Sequence, residues 1–320
     1  MNRANLCSAL VLAVLMAMAI SCQPTGDREA TADDAEPLAA PTPDELYNAT
    51  YHGFEGLDRP VTLVDGRWEG EPYQPGAASR PTVYLIDDLR LTGDVDGDGS
   101  DEAVVLLVQQ SGGSGAFIYL AVVGHRNGTI ESLDTTLVGD RIQIRGADID
   151  GGRIALEIVR HGPDDPACCP GELATMEWEM TEQGLSTIGD SAATGRLTLD
   201  TILDIEWTLK EWKRNEPTEA PPEVVLKYTD GRFIGIGGCN TFFATTQPGT
   251  KPGHVSVGPP GRTRKACPEP AMKTEERFLK QLDAVRKFGF VTTRLSLTYE
   301  NDGTYERMLF DRRGASTTSP

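Results

Sequence analysis

The chain has 320 residues, with 30 Lys and Arg against 48 Asp and Glu, a formal net charge of −18. That length admits two domains of ordinary size, and 39% hydrophobic residues suffice to build their cores. So negative a chain repels phosphates, which argues against the backbone of DNA or RNA as a partner. The charge is also unevenly placed. Residues 46–199 hold 25 acids against ten arginines and no lysine, whereas residues 200–320 hold 16 acids and 18 bases. A step of that size near residue 195 predicts a domain boundary there. In the near-neutral second half, nucleic acid is set aside because no binding motif is present.

Residues 1–21 read as a secretory signal. Arg3 supplies the positive start, and the apolar run from Ala9 to Ile20 is too short to span a bilayer, which takes about 20 residues. The run ends in Ala19-Ile20-Ser21-Cys22, which resembles a bacterial lipobox, although Ala19 stands where that family usually has Leu. The resemblance implies cleavage before Cys22, acylation of its thiol, and a partner that is the membrane itself. Several acyl chains exceed what stable anchoring needs. Gln23 after the cysteine implies sorting to the outer membrane of a Gram-negative host. An ordinary signal cleaved nearby, with Cys22 incidental, is the other reading. Residues 22–45 are rich in Pro, Ala, Thr and acid, a composition expected of a solvated, disordered tether.

Residues 46–195 are expected to form an acidic, β-rich domain. Apolar runs at 81–86, 103–108, 116–123, 141–144 and 153–159 are separated by Arg126-Asn127-Gly128 and Asp150-Gly151-Gly152 at hairpin spacing. Several runs are too apolar to face water on one side, so a β-sandwich or a curved antiparallel sheet is predicted.

The sharpest motif of this half is Gly93-Asp94-Val95-Asp96-Gly97-Asp98-Gly99-Ser100-Asp101-Glu102. Carboxylates at alternating positions 94, 96 and 98, with Gly99 allowing the tight turn, are what a Ca²⁺ loop requires. Asp94, Asp96, Asp98, the Ser100 carbonyl and Glu102 are the candidate ligands. Val105 occupies the place of the bidentate Glu of an EF-hand, which excludes that motif. The spacing resembles instead the shorter loops of FG-GAP and dockerin-like proteins, where a strand follows at once. Ca²⁺ is the implied cofactor, in a structural role because no base or nucleophile lies adjacent. The competing reading is a metal-free turn whose carboxylates cap backbone amides.

His161-Gly162-Pro163-Asp164-Asp165-Pro166-Ala167-Cys168-Cys169-Pro170 gathers metal-ligand residue types. Adjacent cysteines cannot easily share one tetrahedral zinc, and a rigid, disulfide- and proline-bounded loop is the preferred reading. Setting aside Cys7 of the signal and Cys22 leaves four cysteines, an even number in an exported chain. The preferred connectivity is Cys239 with Cys267 and Cys168 with Cys169. Cross-pairing between the two halves is the alternative.

Residues 200–313 are expected to form a second domain, with a disordered tail over 314–320. Trp207-Thr208-Leu209 opens it, followed by Gly235-Ile236-Gly237-Gly238-Cys239-Asn240, then Thr263-Arg264-Lys265-Ala266-Cys267-Pro268, then Glu275-Glu276-Arg277-Phe278-Leu279. This order resembles the META (HslJ-like) domain over about a third of the chain. Periodicity over 275–288 places Phe278, Leu282 and Val285 on one helical face, with Pro270 suited to a first turn. Residues 293–299 and 305–310 alternate as strands around Asn301-Asp302-Gly303. One helix packed across a β-sheet is predicted, with Asn240 in a structural role.

The fold class is therefore mostly β, or α+β. No nucleophile elbow, Walker A loop or paired-histidine motif is present, so no enzymatic activity is expected. The META resemblance implies a cell-envelope protein with a binding, maintenance or stress role, its partner an unidentified envelope protein or polymer. The alternative is a hydrolase or inhibitor acting on wall or secreted polymers, with residues 247–254 as the inhibitory loop.

Overall fold

A computed structural model describes residues 37–219 and 221–314. The signal, Cys22, the tether as far as residue 36 and residues 315–320 lie outside the described residues. The described chain is mostly β, as the sequence predicts.

The first half is a sandwich of two antiparallel meanders. One sheet runs in sequence order through Arg67–Glu69, Thr82–Gly93, Glu102–Gln110, Phe117–Arg126 and Thr129–Asp140. The other runs through Gln143–Asp150, Arg153–Arg160, Glu172–Thr181 and Gly184–Ile188, with Ala193–Arg196 paired alongside Glu172–Thr181. Alternation decides what each residue buries. From the first sheet Val104, Leu106, Val108, Leu120 and Val122 meet Ile154, Leu156, Ile158 and Trp178 of the second.

The intervening residues of the same strands, Ala103, Val105, Leu107, Tyr119 and Ala121, face a third layer made by Leu46, Tyr51, Phe54, Val61 and Leu63. Two central strands are thus buried on both faces, which accounts for runs too apolar for a one-sided sheet. The third layer corrects the assignment of all of 22–45 to a tether. Thr42 and Glu45 form a reciprocal capping box on the short helix Pro43–Tyr47. Asp101 N–H donates to the Leu38 carbonyl at 2.9 Å. Arg90 grips the Pro41 carbonyl at 2.7 Å. Contacts over such sequence distances leave no local compositional sign.

The second half is one ten-stranded sheet. Its main path is Val255–Val257, Thr241–Pro248, Arg232–Ile236, Val225–Thr229, Glu206–Lys213, Thr304–Arg312, Arg294–Asn301 and Val285–Val291. It curls until its ends touch: Phe288 N–H donates to the Gly253 carbonyl at 2.8 Å, and His254 bridges Lys287. The helix Glu269–Asp283 drives Phe278 and Leu282 into the core, with Phe278 edge-on to Phe242 at 5.1 Å between ring centroids. The helix takes Pro270 in its first turn, as expected, but ends short of the predicted 288. It stops at Asp283, and Val285, buried as expected, opens a strand instead. A stretch of Val, Phe, Gly, Phe and Val there fits a pleated sheet better than a helix.

No named strand pairs across the two halves among the described residues. They meet through Thr293 N–H to the Ile144 carbonyl at 2.9 Å and Phe290 N–H to Gln143 Oε1 at 2.8 Å. Leu85 pairs with Leu107 but Arg90 pairs with Val105, so residues 86–89 bulge out opposite a single residue. Asp88 on that bulge reaches Arg294 of the second half at 3.3 Å. A cleft of about 1160 Å³ opens beside these contacts.

Candidate metal centre

Residues 94–101 link the strands Thr82–Gly93 and Glu102–Gln110, so the acidic loop sits at one end of the central hairpin. Gly97 and Gly99 take φ of 79° and 88°, left-handed conformations that glycine adopts without strain. The carboxylate oxygens of Asp94, Asp96 and Glu102 lie within 4.8 Å of one another. The Asp98 carboxylate is not in that group. Asp98 Oδ1 accepts from Ser100 N–H at 2.8 Å, and Ser100 Oγ accepts from Leu38 N–H at 3.3 Å. Asp94 accepts from Gly97 and Gly99 N–H at 2.7 and 3.2 Å, so part of the loop does cap its own backbone.

Glu102 is the unusual member. Its side chain is 0% exposed. Oε2 accepts from Val95 N–H at 3.0 Å, while Oε1 has no hydrogen-bond partner. Burial pushes its carboxyl above the ordinary glutamate range, against the pull of the Val95 amide and with repulsion from Asp96 and Asp98 behind it. A buried carboxylate oxygen without a hydrogen bond, at the base of a partly exposed acidic loop, is a position a cation would complete. The donors are hard oxygens alone, which suits Ca²⁺ rather than zinc.

Arg126 was not singled out in the sequence. Its guanidinium pairs with Asp96 and lies 3.3 Å from Asp98 and 3.6 Å from Glu102 Oε1. The Arg126-Asn127-Gly128 turn signals only a hairpin. That the hairpin ends beside the acidic loop follows from the pairing of Ala103 with Val123 across the sheet. Gly124 makes the room: a Cβ there would stand 3.1 Å from Glu102 Oε1 and 3.3 Å from the Arg126 guanidinium.

The second cluster is organised differently from a metal site. The sulfurs of Cys168 and Cys169 adjoin. Asp165 accepts from Gly162 and Gly171 N–H, each at 2.8 Å, and pairs with Arg196. Burial opposes ionisation there, but Arg196 and the two amides hold its carboxyl below the ordinary aspartate range. His161 does not join the cysteines by any hydrogen bond, and its Nε2 is buried without a partner. His254, from the other half, brings Nε2 to 3.6 Å from Cys169 Sγ.

In the second half, Asn240 and Glu275 close a polar knot. Asn240 N–H donates to Glu275 at 2.6 Å and its Nδ2 at 3.3 Å, while its Oδ1 accepts from Lys265 N–H at 2.7 Å and the Thr263 hydroxyl at 2.8 Å. Arg262 adds a 2.5 Å ion pair to Glu275. The sulfurs of Cys239 and Cys267 adjoin beside this knot, with Cα atoms 6.1 Å apart. Every polar atom of Asn240 serves the strand turn and the helix, which is a structural task. The lipidation candidate Cys22 lies outside the described residues.

The META domain family model matches residues 198–312. No curated protein matches the chain. One solved structure, the NMR structure of a protein from Burkholderia xenovorans, is 20% identical and aligns over 40% of this chain and 96% of its own, with a TM-score of 0.29. The curled sheet with its single packed helix, and the Asn240 knot at its strand turn, occupy the matched segment. The C-terminal part of this chain, residues 198–312, is accordingly a META domain.

Proposed function

We propose that this is a lipid-anchored protein of the bacterial cell envelope with a non-catalytic binding or maintenance role, whose acidic sandwich holds a structural Ca²⁺. The observation that carries the calcium reading is the convergence of Asp94, Asp96 and Glu102 oxygens where the buried Glu102 Oε1 has no hydrogen bond. Those three side chains would hold the ion, with Asp98 and the Ser100 carbonyl reaching it through adjustment of the loop. The ion would supply charge neutralisation, cross-linking the loop to the start of the central strand. Arg126 performs part of that neutralisation from within the chain.

The binding role draws support from the cleft, whose walls carry both signs of charge, including Asp87, Arg145, Glu157 and Lys210. An envelope polymer or an envelope protein is the proposed occupant, with Cys22 as the anchor. Paired cysteines 168–169 and 239–267 suit an oxidising compartment. Thermal melting of the purified protein with and without millimolar Ca²⁺ tests the metal, and an unchanged Tm would overturn it. The mass of the N-terminal peptide from membrane-extracted protein tests acylation of Cys22.

An inhibitory loop is the second reading, since residues 247–251 are exposed while Gly253 is buried and tied to Phe288. One stoichiometric partner recovered from envelope extract would support binding. Turnover of wall fragments by the purified protein would favour a hydrolase.

A further inference from the structure

The Cys168–Cys169 pair has two unlike sulfurs. Cys168 is exposed at the loop surface, whereas Cys169 is 5% exposed and faces inward. Among the described residues, Cys169 Sγ is the sulfur of the pair with a side-chain hydrogen-bond contact, to His254 Nε2 at 3.6 Å. The two residues come from different halves and are 85 positions apart. His254 is itself fixed. Its N–H donates to the Lys251 carbonyl at 3.1 Å, its carbonyl accepts from Gly249 N–H at 2.8 Å, and it bridges Lys287. The cysteine loop is fixed independently of the sulfur–sulfur bond. Asp165 ties Gly162 to Gly171, and Cys169 N–H donates to the Pro166 carbonyl at 2.8 Å. Opening the bond therefore leaves the backbone at Cys169 held.

We propose that Cys168–Cys169 is a thiol–disulfide exchange site for a low-molecular-weight thiol, which enters at Cys168 and expels Cys169 toward His254. Exchange proceeds by attack of a thiolate on one disulfide sulfur, and access decides which sulfur is attacked and hence which one leaves. Here the incoming thiolate forms a new sulfur–sulfur bond to Cys168 Sγ. The Cys168–Cys169 bond breaks, and its electron pair departs on Cys169 Sγ. An imidazole carrying its proton on Nε2 donates to that sulfur as charge develops, which stabilises the leaving thiolate. Burial, with Lys287 and Lys251 nearby, pushes the His254 pKa down, so the ring starts neutral with one proton to share. A second thiol then attacks the adduct on Cys168. It leaves as a small-molecule disulfide, with both cysteines reduced and two thiols oxidised.

The experiment uses the purified full chain and a monothiol, glutathione, with the free thiol trapped by iodoacetamide. Fragmentation of the tryptic peptide between residues 168 and 169 locates each group. Glutathione on Cys168 with the alkyl group on Cys169 is the expected result. The reverse order, an even mixture or no adduct would overturn the proposal. His254→Ala is expected to slow adduct formation about tenfold, the effect of losing one hydrogen bond to a charged atom. Exchange at Cys239–Cys267, measured in the same tube, should keep its rate and report that the fold is intact. An unchanged rate at Cys168 in that variant would also overturn the proposal, and His254→Gln, which keeps a donor, should recover part of the loss.

Discussion

Each half of the molecule buries a glutamate, and the two are finished in opposite ways. Glu275 in the META domain has a side chain 3% exposed and takes two bonds from Asn240 and an ion pair from Arg262. Glu102 in the sandwich is equally buried, yet one of its oxygens is left without a hydrogen bond, and a single guanidinium, Arg126 at 3.6 Å, is set against it and the neighbouring carboxylates. The protein closes the first site with its own donors and leaves the second short of positive charge. The first is a structural joint; the second has the form of an ion site.

The comparison can be broken most forcefully at the closed site. Glu275→Ala strands the Asn240 amide and the Arg262 charge, and is expected to cost about 3 kcal/mol, read as a large fall in urea midpoint. The rise in Tm on adding Ca²⁺ should survive in that variant. In the unaltered protein, Ca²⁺ at a hundred times its Kd should add about 2.7 kcal/mol, seen as a higher Tm that a chelator reverses.

Glu102→Gln sharpens the contrast. A neutral amide suits the buried position, and its oxygen can still accept from Val95 N–H, so the calcium-free Tm should hold or rise. The Ca²⁺-induced rise should vanish. Arg126→Gln removes the chain's own cation from the cluster. Pairs of this partly exposed kind are worth about 1 kcal/mol, so calorimetry should show Ca²⁺ binding about fivefold tighter.

The smallest expected effect is a pH dependence at the other acidic loop. Arg196 and two amides depress the Asp165 pKa, so its contribution is fully present above the unfolded value of 3.8 and is lost as pH falls through the lower folded value. Asp165→Asn should flatten the acid limb of a stability–pH curve in that window.

Much of the fold was legible because it is written locally. The hairpins at Asn127-Gly128, Gly151-Gly152 and Asp302-Gly303 need positive φ, and the structure shows it at each pair. The META domain was legible through an ordered set of motifs. The helix boundary was misplaced because Val285 and Phe288 keep helical spacing by chance while belonging to a strand. Asp94, Asp96 and Glu102 were legible as an alternating acidic loop. Arg126 was not, since its approach depends on which strand lies beside which.

What the sequence determined by itself was periodicity, turn chemistry, the distribution of charge and the motif order of residues 198–312. All of these act over a few residues or by simple composition. Only the tertiary structure decided that residues 40–63 cover the sandwich, that Glu102 Oε1 is orphaned beside Arg126, and that His254 stands against Cys169. Each of those depends on burial and on partners tens of residues away, which strand register and packing create and no local pattern encodes.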